Sequence, residues 1–102
     1  MLQANAAAQV SGVLSLPSTL GLVEAPLWVD RLGAELRDQE ASELVIDASA
    51  LSEFDSSVLA VLLQVRREAA RLNRTVVVQG SPAKLIALAT LYGVNELLAL
   101  TP

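Results

Sequence analysis

The chain lacks two residue types that proteins often use for catalysis and metal binding, since it contains no cysteine and no histidine. Without cysteine it forms no disulfide, no thiolate metal site and no cysteine nucleophile. Without histidine it lacks the commonest general base, the commonest metal ligand and the base of histidine-containing triads. A catalyst would have to use Asp, Glu, Lys, Tyr or Ser alone. The composition therefore favours a binding or regulatory module over an enzyme, and we expect neither a metal nor a cofactor.

Aromatic residues, basic residues and long apolar stretches are also scarce. The aromatic residues are Trp28, Phe54 and Tyr92, too few for a surface that stacks nucleic-acid bases. Seven basic against eleven acidic residues give a net charge of -4, whereas nucleic-acid binders carry a surplus of lysine and arginine. No apolar run reaches the ~18 residues of a membrane-spanning helix, and the first residues lack the basic start of a signal peptide. We expect a cytoplasmic protein with no nucleic-acid partner and no direct membrane insertion.

The 102 residues suffice for one domain with an ordinary core, because 53% of them are apolar and 18% are charged. We expect residues 1–9 to be a flexible lead-in and residues 10–102 to be a single domain. Residues 1–55 hold nine acidic and two basic residues, whereas residues 56–102 hold two acidic and five basic ones. This asymmetry either steers a partner or reflects two differently solvated faces.

Strand-like and helix-like patterns alternate along the chain. Short apolar or β-branched runs predict three strands, at residues 13–16, 44–46 and 75–79. Helical spacing predicts three helices, at about residues 25–38, 55–74 and 84–92. We expect residues 44–46 to form a central strand buried on both faces, and residues 96–100 to form a last short strand or a helical turn. The alternation implies an α/β fold with a largely parallel sheet.

The same patterns assign particular residues to helix ends, core and surface. Ser81 and Pro82 suit the N-cap and first turn of the third helix, and Gly93 suits its C-terminal end. Trp28 and Tyr92 are expected in the core. An exposed apolar patch can serve a partner or a second copy of the chain, and the residues expected to be exposed are Leu22, Leu27, Leu91 and Leu98.

The main candidate site lies where the central strand ends and the second helix begins, a common position for functional groups in α/β sheets. Asp47 ends the strand. Asp55, Ser56 and Ser57 open the helix, where unpaired N–H groups favour a carboxylate or a phosphate. Helix capping alone accounts for Asp55, but two adjacent hydroxyls exceed what a cap needs. A phosphate on one of them adds up to about two negative charges.

Other charged residues allow two interpretations each. Asp47, Glu53 and Asp55 have structural and capping roles, or they form a loose acidic group that holds Mg²⁺. Lys84 lies in a first helical turn, where a cation is unfavourable, which suggests a charge kept for a partner. The second helix carries either a solvated basic face or a docking face for an acidic partner or anionic lipid headgroups. The arginines of that face are Arg66, Arg67, Arg71 and Arg74.

The residues around this site resemble a known family. Residues 44–63 comprise an apolar strand that ends in Asp47-Ala48-Ser49, a loop, and a helix that starts Asp55-Ser56-Ser57-Val58-Leu59. This arrangement is similar to the STAS domain family, which includes the anti-sigma-factor antagonists. Residues 76–80 and the stretch Leu88-Ala89-Thr90-Leu91-Tyr92-Gly93-Val94 resemble most the MlaB branch, the STAS subunits of the Mla phospholipid-transport ABC system of Gram-negative bacteria. The resemblance covers about residues 10–100.

The resemblance implies a fold, a role and a set of partners. The fold is a small, mostly parallel sheet covered by helices on one side. The role is that of a non-enzymatic subunit that binds and stabilises or activates the MlaF-like ATPase of an ABC transporter. The subunit would reach the permease only indirectly and lie at the cytoplasmic face of the inner membrane. Such a system moves phospholipid between inner and outer membrane and maintains lipid asymmetry. The alternative is an anti-sigma-factor antagonist that is phosphorylated by an anti-sigma factor kinase.

The resemblance also implies a contact surface at the loop and the helix start. Ser56 matches the residue that is phosphorylated in the antagonists, so it is expected to be a phosphosite or switch. Antagonists usually carry glycine where this chain has Val58, and we expect that bulk to obstruct a kinase-like partner. The expected partner-binding residues are Leu51, Ser52, Glu53, Phe54, Asp55, Ser56, Ser57, Val58 and Leu59.

Overall fold

The computed structural model describes residues 11–102, so the lead-in expected over residues 1–9 lies outside the described residues. The strands are β1 Ser11–Ser15, β2 Thr19–Leu20, β3 Glu43–Asp47, β4 Glu53–Phe54 and β5 Thr75–Gln79. The helices are α1 Ala25–Asp38, α2 Ser57–Arg71, α3 Ala83–Leu91 and α4 Asn95–Leu98. The predicted alternation of strands and helices is confirmed, with β2 and β4 as additional two-residue strands. Within residues 11–102, no helix is long and apolar enough to cross a membrane.

The main sheet is parallel and runs in the order β1-β3-β5. Its register aligns Val13 with Val45 and Val45 with Val77. The C-terminal segment adds a parallel bridge between Val78 and Leu100 on β5. The segment predicted as either a strand or a helical turn therefore contains both, α4 first and the bridge after it. The strand pair β2–β4 forms a separate two-stranded sheet.

The core lies on one face of the sheet. Because the sheet order follows the chain order, right-handed crossovers place α1 and α2 on the same side. Inward-facing sheet residues pack against buried helix residues, and each such side chain contributes about 1.5–3 kcal/mol. The buried sheet residues are Leu14, Leu44, Ile46 and Val78, and the buried residues of the two helices include Leu32, Leu36, Leu62 and Val65.

The prediction that β3 is buried on both faces is wrong. Leu44 and Ile46 are fully buried, but Val45, which points to the other side, is only half-buried. Its neighbour in register, Val13, is 59% exposed. The continuous apolar run in β3 thus belongs to a central strand with one covered face.

The start of α3 differs from the prediction, whereas its end at Gly93 agrees with it. Pro82 occupies the N-cap position and no side chain caps the helix, so Ser81 is not its cap. Gly93 follows the helix with φ 73°, as predicted for a left-handed C-terminal residue. The N–H of Val94 donates to the carbonyl of Ala89 at 2.9 Å, and the N–H of Gly93 donates to that of Thr90 at 3.0 Å. This pair of bonds is a Schellman motif, which satisfies two carbonyls at the helix end.

Three burial predictions are wrong. Tyr92 is 58% exposed because it follows the last helical residue, Leu91, at a position beyond the packed turns. Leu98 was expected at the surface but is 2% exposed, because α4 packs against α2 and β5. Trp28 is half-buried rather than in the core, and the Arg31 guanidinium lies 4.9 Å from its ring centroid. The exposure predicted for Leu22, Leu27 and Leu91 is confirmed.

Candidate functional site

The loop between β3 and α2 is held at its start by a hydrogen bond to Asp47 and in its middle by buried side chains. At the strand end, Asp47 Oδ1 accepts the N–H of Ser49 at 2.9 Å. The Ser49 hydroxyl and then its N–H lower the pKa of Asp47, so that this carboxylate stays ionised. The side chains of Ala48 and Leu51 are buried in the core and fix the middle of the loop. The loop is therefore an ordered connection.

A second segment lies beside this loop through the small β2–β4 sheet. The N–H groups of Ser52 and Glu53 both donate to the carbonyl of Ser18 at 2.9 Å. The register then pairs Leu20 with Phe54. These bonds bring the turn that starts at Gly21 to the beginning of α2.

Asp55 joins that turn to the helix. Its Oδ1 accepts the N–H of Ser57 at 2.8 Å, and its Oδ2 accepts the N–H of Leu22 at 3.2 Å. The Ser57 N–H and then the Ser57 hydroxyl lower the pKa of Asp55, with a smaller effect from Leu22. The carboxylate thus accepts a hydrogen bond from an N–H that would otherwise be unpaired at the positive end of α2.

The hydroxyl of Ser56 is free of the capping role. Ser56 is exposed and makes no side-chain capping bond. The N–H groups of Val58 and Leu59, which such a cap would bind, donate to the backbone carbonyls of Asp55 and Ser56 at 3.1 Å and 3.0 Å. Ser57 is half-buried. Val58 is fully buried, so its bulk points into the core and not toward the Ser56 hydroxyl. The expectation that Val58 obstructs a partner at Ser56 is therefore wrong.

The rim of this surface combines exposed apolar side chains with one cation. Leu22 and Val23 are 75% and 87% exposed next to Asp55. The Lys84 ammonium lies 5.4 Å from the ring centroid of Phe54, whose side chain is half-buried. Sequence reasoning marked Leu22 as exposed and Lys84 as available, but no local pattern in the sequence joined either of them to Ser56.

The nine residues expected to contact a partner fall into two groups. Leu51, Val58 and Leu59 are buried in the core and support the surface from beneath. The other six have side chains that are exposed or half-buried, and they are Ser52, Glu53, Phe54, Asp55, Ser56 and Ser57. We refer to these six residues together with Leu22, Val23 and Lys84 as the α2 tip surface.

The acidic residues near the tip do not form a metal site. Among residues 11–102, no group of three or more acidic side chains is arranged to hold a metal ion. Asp47 and Asp55 each accept backbone N–H bonds instead. The structural and capping interpretation of these two carboxylates is the one their contacts support.

The arginines of α2 do not form one uniform face. Arg71 donates to Glu68 with a nitrogen–oxygen distance of 2.6 Å, and Arg37 of α1 lies 3.6 Å from the same carboxylate. The hydrogen bond from Arg71 is the main cause that lowers the pKa of Glu68. Arg74 donates to the carbonyl of Leu36 and ties the end of α2 to α1. The exposed arginines that remain, Arg66 and Arg67, make no ion pair within the described part of the chain.

Comparison with solved structures shows the fold. The chain is similar to the anti-sigma factor antagonist SpoIIAA in its unphosphorylated form, with a TM-score of 0.71, 13% identity, and coverage of 91% of this chain and 82% of that one. It is also similar to a sulfate transporter family protein from Wolinella succinogenes, with a TM-score of 0.69, 13% identity and coverage of 86% and 70%. For the SulP transporter STAS domain from Vibrio cholerae the TM-score is 0.67, the identity 13% and the coverage 92% and 74%. All three likenesses confirm a small parallel sheet covered by helices on one side.

Comparison by sequence assigns the family. No curated protein sequence matches the chain. A family model described as "Mlab, STAS domain" matches residues 4–100, which include the α2 tip surface and every strand of the structure. The chain therefore belongs to the Mlab-type STAS domain family.

Proposed function

We propose that the chain is a non-enzymatic STAS subunit that binds the ATPase of an ABC phospholipid transporter and stabilises or activates it. The observation that carries this proposal is the match of the Mlab-type family model to residues 4–100. In this role the protein carries no lipid. It lies in the cytoplasm at the inner membrane through the ATPase, which in turn contacts the permease. The system would move phospholipid between inner and outer membrane and so maintain lipid asymmetry.

The α2 tip surface has the composition of a contact site. Protein interfaces place apolar side chains at the centre and polar groups at the rim. Leu22 and Val23 are the apolar residues here, and the carboxylate of Asp55 accepts the N–H of Leu22. Ser56, whose side chain is exposed, directly follows Asp55. A large exposed apolar pair on a soluble domain commonly marks an interaction site.

The turn that presents Leu22 and Val23 is rigid. The N–H groups of Glu24 and Ala25 donate to the carbonyl of Gly21 at 3.1 Å and 3.0 Å, and the N–H of Gly21 donates to Glu24 Oε1 at 2.8 Å. A preformed turn loses little conformational entropy on binding. We therefore assign the ATPase contact to this turn and the start of α2.

The experiment is an affinity purification of the tagged protein from its native cytoplasm and membranes, read by mass spectrometry. We expect an ABC ATPase with its permease in the wild-type sample. Ser56→Glu places a new carboxylate beside Asp55 and the apolar pair, so we expect at least about a tenfold lower ATPase yield.

Two variants serve as controls for the charge and the hydroxyl. Ser56→Ala removes only the hydroxyl and should retain most of the ATPase. Ser42→Glu adds the same charge at an exposed site before β3, at the opposite edge of the sheet, and should behave as wild type. Equal ATPase recovery with Ser56→Glu and Ser42→Glu would place the contact elsewhere, and recovery of a kinase-like anti-sigma factor would make the transporter role wrong.

An anti-sigma-factor antagonist controlled by phosphorylation of Ser56 is the second candidate function. The observation that favours it is the exposed Ser56 hydroxyl, which has no capping bond and is not shielded by Val58. A phosphate there would add up to about two negative charges beside Asp55 and Leu22, enough to disrupt an apolar contact. Intact-mass measurement after incubation with the cognate kinase and ATP tests this candidate. It predicts one added phosphate that Ser56→Ala abolishes and Ser57→Ala retains, and an unmodified wild-type protein would contradict it.

A further inference from the structure

The sheet has a second face, turned away from α1 and α2, that the described residues leave open. From Val13 onward, the side chains on this face are exposed or half-buried. In the middle, Val13, Val45 and Val77 stand in register across three strands, and Val13 is 59% exposed. The open sheet face is formed by these three valines with Ser15, Glu43, Asp47, Thr75 and Gln79.

This face combines an apolar centre with acidic ends. Beside Val45 and Val77, a shallow trough of about 520 Å³ extends to Leu100 and Thr101 of the C-terminal segment. The ionisable side chains on the face are Glu43 and Asp47, one at each end of β3. The basic residues of the described chain lie on α1, α2 and α3 or directly after α2, and they are Arg31, Arg37, Arg66, Arg67, Arg71, Arg74 and Lys84.

The size and charge of the face limit which kind of partner can bind there. Three strands about 4.8 Å apart and five residues long cover roughly 15 by 17 Å. That area is far below the ~800 Å² per partner of a stable interface between two folded proteins. A second copy of the chain would also place acidic residues against acidic residues. One helix of about 11 residues is roughly 17 Å long and 10 Å wide, and it matches the face.

We propose that the open sheet face docks a single amphipathic helix from a partner protein, with apolar residues on the three valines and basic residues at Glu43 and Asp47. This surface is separate from the α2 tip surface, although Asp47 borders the loop that leads to it. The protein would then hold two partner segments at once. The sheet-bound segment would contribute a small, salt-dependent increment to binding, since its ion pairs lie at an exposed rim.

The test uses a synthetic helical peptide of about 12 residues, with leucine on one face and lysine on the other, and full-length ¹⁵N-labelled protein. We expect amide shift changes centred on Val13, Val45 and Val77. We expect Glu43→Lys to weaken peptide binding roughly three- to fivefold, as the loss of an exposed ion pair does. Asp30→Lys makes the same charge change on an exposed residue of α1 and should change affinity by less than about twofold. Unchanged shifts elsewhere in each variant show that the fold is retained.

Four results would overturn the proposal. The first is a set of shifts centred on Ser56 or on the groove between α1 and α2. The second is equal weakening by Glu43→Lys and Asp30→Lys. The third is equal binding of a leucine–glutamate peptide with the same pattern, which would indicate unspecific apolar adsorption. The fourth is peptide binding seen only in a variant that lacks residues 1–9, which would assign the face to the chain's own N-terminal segment.

Discussion

At the scale of single residues, Asp55 has the largest structural role in the α2 tip surface. Its two carboxylate oxygens bind the helix start at Ser57 and the turn at Leu22. Asp55→Ala removes both bonds, and we expect the melting temperature to fall by a few degrees. Asp55→Asn keeps an acceptor oxygen but loses the charge, so its melting temperature should lie between those of the other two proteins. Thermal unfolding followed by circular dichroism measures this order.

The charge of Asp55 also predicts a pH dependence. Its pKa in the folded state lies below the usual value of 3.8 because the Ser57 N–H and hydroxyl bind the ionised form. The unfolded chain therefore takes up the proton first as the pH falls. The stabilisation is present above pH 3.8 and is lost as the pH falls through the lower folded value. The difference in melting temperature between wild type and Asp55→Asn should shrink over that range, and a difference that stays constant from about pH 7 to pH 3 would contradict this explanation.

At the level of secondary-structure elements, three glycines occupy different positions, one after a strand, one after a helix and one inside a helix. Gly80 ends β5 with φ 68°, and an added Cβ would lie 3.1 Å from Ser49 Cβ. Gly93 ends α3 with φ 73° and open space around an added Cβ. Gly33 lies inside α1, where an added Cβ would meet only the flexible end of Arg37 at 3.4 Å.

Substitution of each glycine by alanine should therefore give a ranked series. Gly80→Ala combines backbone strain with crowding and should cost about 2 kcal/mol or more. Gly93→Ala has strain alone and should cost about 1 kcal/mol. Gly33→Ala should stabilise the protein by roughly 0.5–1 kcal/mol, because alanine favours the helix. Urea unfolding with an unchanged m-value measures the three free energies, and a loss of stability in Gly33→Ala equal to that in Gly93→Ala would refute the series.

At the level of the complete domain, the parallel sheet β1-β3-β5 has two different sides. Helices cover one side, and the described residues leave the other side open. The helices occupy one side and carry the arginines, including the groove between α1 and α2 beside Glu68. The sheet's other side carries three valines with acidic ends. Most acidic residues of the N-terminal half nevertheless lie on or beside α1 and at the start of α2, and only Glu43 and Asp47 lie on the open sheet face. The α2 tip surface lies at the carboxyl edge of the sheet, where loops from different strands meet.

Local patterns in the sequence predicted much of this fold and part of the site. The helix end at Gly93 and the helix start at Asp55 depend on a few adjacent residues, so their chemistry is visible in the sequence. The helical spacing of apolar residues predicted where α1 and α2 lie. The sequence predicted that Ser56 and Ser57 together exceed what a cap needs, and the structure shows that Ser56 is the exposed one of the two.

Burial was predicted less well where it depends on distant elements. Tyr92 continues the apolar spacing of α3, but the packed turns end before it. Leu98 is buried because α4 contacts α2 and β5, and β5 lies almost twenty residues earlier in the chain. Val45 belongs to an apolar run but faces a side of the sheet that no described helix covers. A single sequence does not record which face of an element finds a partner.

Residue type and local backbone geometry sufficed to predict the order of the three main strands and three main helices, the helix end at Gly93 and the absence of histidine and cysteine chemistry. Tertiary packing determines which face of the sheet is covered and which segments meet at Phe54 and Asp55, directly before Ser56. The N–H of Leu22 donates to Asp55, which lies 33 positions later in the chain. The Lys84 ammonium lies over the ring of Phe54, although α2 and β5 separate these two residues in the sequence. Such contacts arise from the packing of parallel strands and their crossovers, which bring loop ends together at one edge of the sheet regardless of their separation in sequence.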